Sequence, residues 1–192
     1  MAPAATIAVL GDSLSASYGI EQARGWVHLL GERLKNHQYD YAVFNASISG
    51  ETSAGGLRRL AGIVEQHHPA IVIIELGAND GLRGLPIGDL RRNLTSMIRY
   101  CRENNAAVLL IGIQLPGNYG VQYNQSLEQT YQDLATEYQL PLVPFLLAGL
   151  EQSRHWFQED GLHPTADAQP VILENVWASL KMILDRKAAR SD

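Results

Sequence analysis

The chain has a single cysteine, Cys101. An internal disulfide is therefore impossible and a cysteine-based metal cage is excluded, while the redox compartment stays open. Long hydrophobic runs are lacking as well: none approaches the roughly 18 residues of a membrane span, and residues 1–5 carry no basic region of the kind that opens a signal peptide. The expectation is either a cytoplasmic protein or a mature chain whose leader has been removed, and Ala2-Pro3-Ala4 behind Met1 suits the second. Basic charge is in deficit, with 15 Lys and Arg against 20 Asp and Glu, a net charge of −5 and no run of like charges. Nothing in that balance favours nucleic acid or an anionic lipid surface as a partner. Nucleotide loops are missing too: G-x-x-x-x-G-K-S/T does not occur, and no G-x-G-x-x-G follows the first apolar run. No repeat, linker or composition shift interrupts the 192 residues, and 46% hydrophobic content is ordinary for a globular core, so one domain over 1–192 is expected.

What is present is an alternation of short apolar runs and amphipathic stretches. Thr6, Ile7, Val9 and Leu10 form a mostly β-branched run that stops at Gly11, the pattern of a central strand covered on both faces. Residues 41–46, 70–76, 108–113 and 142–145 read as four more strands, the last an edge because Pro141 and Pro144 punctuate it. Helical spacing appears over 26–34, around Leu57, Leu60, Ile63 and Val64, and at Leu90, Leu94, Met97, Ile98 and Cys101, which puts the thiol on a buried stripe. Further helices are expected over 125–138 and 168–187, with Pro170 in the first turn of the last. Five strands alternating with helices predict an α/β, flavodoxin-like three-layer fold around a parallel sheet of order 2-1-3-4-5.

In such a sheet, ligands collect outside the carboxyl ends of the strands. Ser13 lies just past the first strand, and the loops after strands 2 and 3 bring Gly50 and Asn79 to the same rim. A helix cap explains Asp12, Ser13 or Ser15 equally well, and Ser15 stands where the α/β-hydrolase elbow G-x-S-x-G needs glycine. The last loop holds Asp160 and His163 three positions apart, with Gly161 allowing a tight bend and Pro164 keeping His163 extended, so that Asp160 can accept from one ring nitrogen while the other faces outward.

Four blocks in order, Gly11-Asp12-Ser13-Leu14-Ser15, Gly50 within residues 45–52, Gly77-Ala78-Asn79-Asp80 and Asp160-Gly161-Leu162-His163-Pro164, resemble those of the GDSL-type SGNH hydrolases. Residues 79–84, 115–120 and 167–170 are similar to the thioesterase I/protease I/lysophospholipase L1 subgroup, which includes bacterial arylesterases. The resemblance implies Ser13 as nucleophile, His163 as base and Asp160 as its orienting partner, with the Ser13 and Gly50 N–H groups and the Asn79 amide as oxyanion hole. It implies no cofactor and no metal, a small acyl ester or thioester as substrate, and a periplasmic or secreted location; a monomer is expected. Two departures, Ser17 and Ala78 at positions where the subgroup often has glycine, each add a β-carbon near the rim.

The residue types suit that chemistry. A serine hydroxyl is a weak nucleophile near neutrality and needs an imidazole, ordinarily titrating at about 6.5, to take its proton. A carboxylate fixes the imidazole tautomer, and preorganised donors stabilise the oxyanion. Asp12 and Asp80 compete for the carboxylate role, although capping and loop bracing explain both, and Glu159 points away from its neighbour in an extended segment. Ile48, Leu82, Leu115, Pro116, Tyr119 and Leu162 lie in loops predicted at the rim and are candidates for an acyl pocket. Two rival readings are a non-catalytic flavodoxin-like binding module and a metal-dependent phosphoesterase or deacetylase using His67, His68, His155 or His163 with Asp12.

Overall fold

Alternation along the first strand sorts the molecule into layers. In β1 (Ala5–Gly11), Ile7 and Val9 face one side of the sheet, Ala8 and Leu10 the other, and all four are buried. A strand apolar on both faces must be covered on both. The structure, a computed structural model, describes residues 4–189; the reading of the N-terminus falls on Met1, Ala2 and Pro3, outside the described residues. With β2 (Tyr41–Asn45), β3 (Ile71–Glu75), β4 (Ala107–Ile111) and β5 (Leu142–Val143), β1 forms one parallel sheet of order β2-β1-β3-β4-β5. This is the flavodoxin-like order read from the alternation of elements.

Two helices, α1 (Trp26–Asn36) and α6 (Gln169–Ala188), pack over Ile7, Val9, Ile71, Ile73, Leu109 and Ile111. On the opposite face α2 (Ser53–His67), α4 (Ile87–Glu103) and α5 (Val121–Glu137) cover Ala8, Leu10, Val72, Ile74, Val108 and Leu110. Burying a Leu or Ile in such a core is worth about 1.5–3 kcal/mol each, so the two clusters, rather than helix propensity, hold the layers together. Cys101 is fully buried on α4, and burial pushes its thiol up to about 12, which leaves it inert as a nucleophile.

Several boundaries differ from the sequence reading. The segment after β3 is not a loop throughout but contains the short helix α3 (Ala78–Leu82). The fifth strand is two residues long, because Pro144 has no N–H to continue the ladder. Helix α5 starts at Val121, directly after Gly120 with φ 92°, rather than near 125. Pro170 sits in the first turn of α6, as its missing N–H requires. Among the described residues, no helix is long and apolar enough to cross a membrane.

Candidate active site

The turn after β1 is built around a buried carboxylate. Glu75, at the end of β3 and fully buried, accepts a hydrogen bond at Oε2 from the Ser15 hydroxyl (2.7 Å) and another from the Asp12 N–H (3.2 Å). A β-carbon on Gly11 would lie 2.6 Å from that oxygen, so the strand ends on the one residue that fits there. Asp12 Oδ1 accepts from the Leu14 N–H (3.0 Å). Asp12 therefore closes the turn, Ser15 anchors it to β3, and the Ser13 hydroxyl is left free to face the rim. Ser17 holds φ 59°, the left-handed conformation that glycine adopts without cost, so this turn keeps a glycine geometry despite the added β-carbon.

The Asp160 loop approaches from the other end of the chain. An antiparallel bridge between Phe157 and Pro164 closes it, and the Gln158 N–H donates to the His163 carbonyl (2.8 Å). Arg154 donates to the carbonyls of Phe157 (3.0 Å), Gln158 and Glu159 (2.6 Å), which holds the loop from behind. Asp160 Oδ1 accepts from the Leu162 (2.9 Å) and His163 (3.0 Å) N–H groups, and Asp160 Oδ2 lies 2.6 Å from His163 Nδ1. His163 Nε2 lies 2.9 Å from Ser13 Oγ. With the ring proton on Nδ1, the imidazole donates to Asp160 and presents a lone pair to the serine hydroxyl.

Among the described residues, no hydrogen bond uses the N–H of Ser13 or of Gly50, so both donors are free. Gly50 has φ 79°, a conformation that a side chain would strain. Asn79 is different. It sits on α3, not in a loop, and its Nδ2 donates to Asp12 Oδ2 (3.1 Å) and to the Glu51 carbonyl (3.0 Å), which commits both amide hydrogens in the resting structure. Asp80 braces α2 by accepting from the Ser53 N–H (2.8 Å) and hydroxyl (2.5 Å). Arg83 donates to the Gly50 carbonyl (2.9 Å). Of the other histidines, His67 stacks on Phe44 with centroids 3.7 Å apart, His68 caps the end of α2, and His155 Nδ1 lies 2.5 Å from Ser153 Oγ. Among the described residues, no three His, Cys, Asp or Glu side chains gather closely enough to hold a metal ion.

Burial opposes ionisation of Asp160, but the two backbone N–H groups and the His163 ring outweigh it and bring the carboxyl down to about 2. Asp12 moves the other way, desolvation raising it to about 6 against the bonds from Leu14 and Asn79. Glu75 is raised well above the ordinary range, first by desolvation and then by the Asp12 charge beside it. A carboxyl raised by folding contributes stability below its unfolded pKa of about 4, and that contribution is lost as pH rises through the folded value. For Asp12 the window ends at about 6. Glu75→Gln keeps an oxygen for the Ser15 and Asp12 donors and removes one of the two charges. Its melting temperature is therefore expected to fall less than that of the parent between about pH 4 and pH 8. Circular-dichroism melts check this, and parallel slopes would show that the pair does not set the pH dependence.

Beside Ser13 and His163 opens a cavity of about 580 Å³. Leu82, Leu115, Pro116 and Leu162 line it, as do Ile113, Phe145, Leu146 and Phe157. Ile48 and Tyr119 do not; they are 49% and 38% exposed. The Phe145–Leu147 stretch had one signal in the sequence, its position just beyond a parallel strand's carboxyl end. Reading residues 142–145 as continuous strand concealed it.

Comparison with known proteins gives this geometry a context. Esterase TesA of Pseudomonas aeruginosa is 50% identical over 183 residues, covering 95% of this chain and 91% of that protein. Thioesterase 1/protease 1/lysophospholipase L1 of Escherichia coli K12 is 42% identical over 184 residues, 96% of this chain and 87% of that one. A crystal structure of the psychrotrophic esterase EstA from Pseudoalteromonas sp., inhibited by monoethylphosphonate, is similar with a TM-score of 0.89 at 41% identity, covering 94% of this chain and 98% of that one. The family model described as GDSL-like Lipase/Acylhydrolase matches residues 9–169. A match that begins inside the first strand and ends where the last helix starts spans every segment that carries the site, and the chain accordingly belongs to the GDSL-like lipase/acylhydrolase family.

Proposed function

We propose that the chain is a serine hydrolase that cleaves small carboxylic esters and thioesters through an acyl-Ser13 intermediate. The observation that carries this reading is the unbroken line from Asp160 Oδ2 to His163 Nδ1 (2.6 Å) and from His163 Nε2 to Ser13 Oγ (2.9 Å). His163 Nε2 takes the hydroxyl proton as Ser13 Oγ bonds to the acyl carbon, and the carbonyl π pair moves onto oxygen. The free N–H groups of Ser13 and Gly50 meet that oxyanion. Collapse breaks the bond to the leaving oxygen or sulfur, which takes the proton from Nε2. Water then attacks the acyl carbon as His163 Nε2 takes its proton, and collapse breaks the bond to Ser13 Oγ, which takes that proton back as the acid is released. The chain's side chains, the substrate and water account for every proton and electron pair in these steps, so no cofactor is required. The apolar cavity beside Ser13 suits the acyl portion, and the family resemblance supports action in the periplasm or outside the cell.

Asn79 joins the oxyanion hole by exchanging one of its two resting hydrogen bonds for the developing charge. Loss of one such donor typically costs about a hundredfold to a thousandfold in kcat. Asn79→Ala is expected to show that loss with KM changed little, measured on p-nitrophenyl esters; a loss below tenfold would confine Asn79 to bracing Asp12 and Glu51.

A fluorophosphonate probe tests the whole reading. It should label the parent protein once, at Ser13, and leave Ser13→Ala unlabelled. Absence of labelling in the parent would favour a non-catalytic binding module instead. A kcat/KM panel of p-nitrophenyl esters and acyl thioesters of increasing chain length then identifies the preferred acyl group.

A further inference from the structure

Tyr18 is a large aromatic residue with no place in the core. It is 49% exposed and belongs to neither of the two clusters that hold the sheet between its helices. Its ring nevertheless lies against His163, with centroids 4.3 Å apart and planes inclined by 36°. The backbone holds it there from both sides. The Tyr18 N–H donates to the carbonyl of Ser13 (3.3 Å), and the Tyr18 carbonyl accepts from Gln158 Nε2 (2.8 Å). The same amide donates to the Pro164 carbonyl (3.0 Å), immediately after His163. One side chain thus clips the turn that carries the serine to the loop that carries the imidazole.

We propose that Tyr18 is a positioning residue for His163: its ring covers one face of the imidazole, keeps Nε2 aimed at Ser13 Oγ, and meets the positive charge that the imidazole acquires when it takes the serine proton. This rests on the reading of His163 as the base. An aromatic face attracts a cation through its quadrupole, an attraction that adds to the stacking it already makes with the neutral ring. The contact therefore strengthens as the proton moves from Oγ to Nε2, which is the condition for lowering the barrier rather than tightening substrate binding. The phenol hydroxyl has no part in this; the ring has.

Four proteins test it, assayed on a short p-nitrophenyl ester and by the rate of fluorophosphonate acylation: the parent, Tyr18→Phe, Tyr18→Leu and Tyr18→Ala. Tyr18→Ala is expected to lose about fivefold to tenfold in kcat, the exposed cation–π range together with looser aim. KM and melting temperature should stay near the parent's, with the acylation rate falling in parallel. Tyr18→Phe should restore the parent rate to within about twofold, while Tyr18→Leu, which covers the ring without a π face, should stay close to Tyr18→Ala. Parent-like kcat in Tyr18→Ala or Tyr18→Leu overturns the proposal, and so does a change confined to KM or a Tyr18→Phe variant as slow as Tyr18→Ala. If Ser13→Ala or His163→Ala proves active, the reading of the site itself has failed; if both are inactive and Tyr18→Ala is not impaired, only this proposal has.

Discussion

Ser13→Ala is expected to lower kcat on p-nitrophenyl esters and acyl thioesters by about ten-thousandfold to a millionfold while leaving the melting temperature essentially unchanged. The two halves of that expectation have separate causes. The hydroxyl's partner is His163, so its removal breaks no bond that holds the fold; the turn is secured by Asp12, Ser15 and Glu75 instead. In the proposed mechanism the reaction, by contrast, loses the atom that bonds to the acyl carbon. His163→Ala should cost a similar factor, and the double variant should be hardly worse than either single one, since the proposed nucleophile and base act as a unit. Multiplicative losses, or a Ser13→Ala protein within tenfold of the parent, would remove the proposed intermediate. Because the imidazole must be neutral to serve as base, kcat/KM should also fall toward acid, and a profile flat down to about pH 4 would point to another base.

Asp160→Asn carries the second large effect, a loss of about a thousandfold to ten-thousandfold in kcat. Its cause is the tautomer. Asp160 Oδ2 lies 2.6 Å from His163 Nδ1, and with the ring proton there Nε2 is left unprotonated toward Ser13; an amide NH₂ facing Nδ1 favours the opposite tautomer, with the proton on Nε2 where it blocks the serine. Three hydrogen bonds hold the Asp160 carboxyl near 2, so the parent keeps this carboxylate ionised at neutral pH and well into acid. The stability linkage has the opposite sign from that of Asp12: a carboxyl lowered by folding contributes stability above about pH 4, lost as pH falls toward its folded value. Solvent screening weakens that contribution, since the side chain is 39% exposed. The kinetic effect is therefore expected to be large and the change in melting temperature small; the reverse pattern would make Asp160 a loop brace and return Asp12 to consideration.

Local patterns along the chain were enough for the architecture. The apolar runs ending at Gly11 and Gly77 and the i, i+3, i+4 stripes that bury Cys101 and Leu94 were legible without coordinates, as were the prolines that mark an edge strand and open the last helix, because each states a backbone preference or a buried face within a few residues. The Asp160–His163 pair was legible for the same reason, lying three residues apart in one tight loop. Loop side-chain directions were not: Ile48 and Tyr119 stand outside the cavity because the turn, not the residue type, decides where a loop side chain points.

By itself, then, the sequence determined the five strands, the five long helices and the order of the strands in the sheet, though not the short helix α3, and it singled out the candidate residues for acyl chemistry. Tertiary structure alone decided that Ser13 and His163, 150 positions apart, meet at 2.9 Å. It also decided that Glu75 ends an apolar strand as the buried anchor of the Ser13 turn, that both hydrogens of Asn79 are engaged at rest, and that Tyr18 lies on the imidazole. The physical reason is one of scale. Residue preferences act over a turn or a strand, whereas a hydrogen bond between distant loops depends to a few tenths of an ångström on how the strands register and the helices pack beneath them.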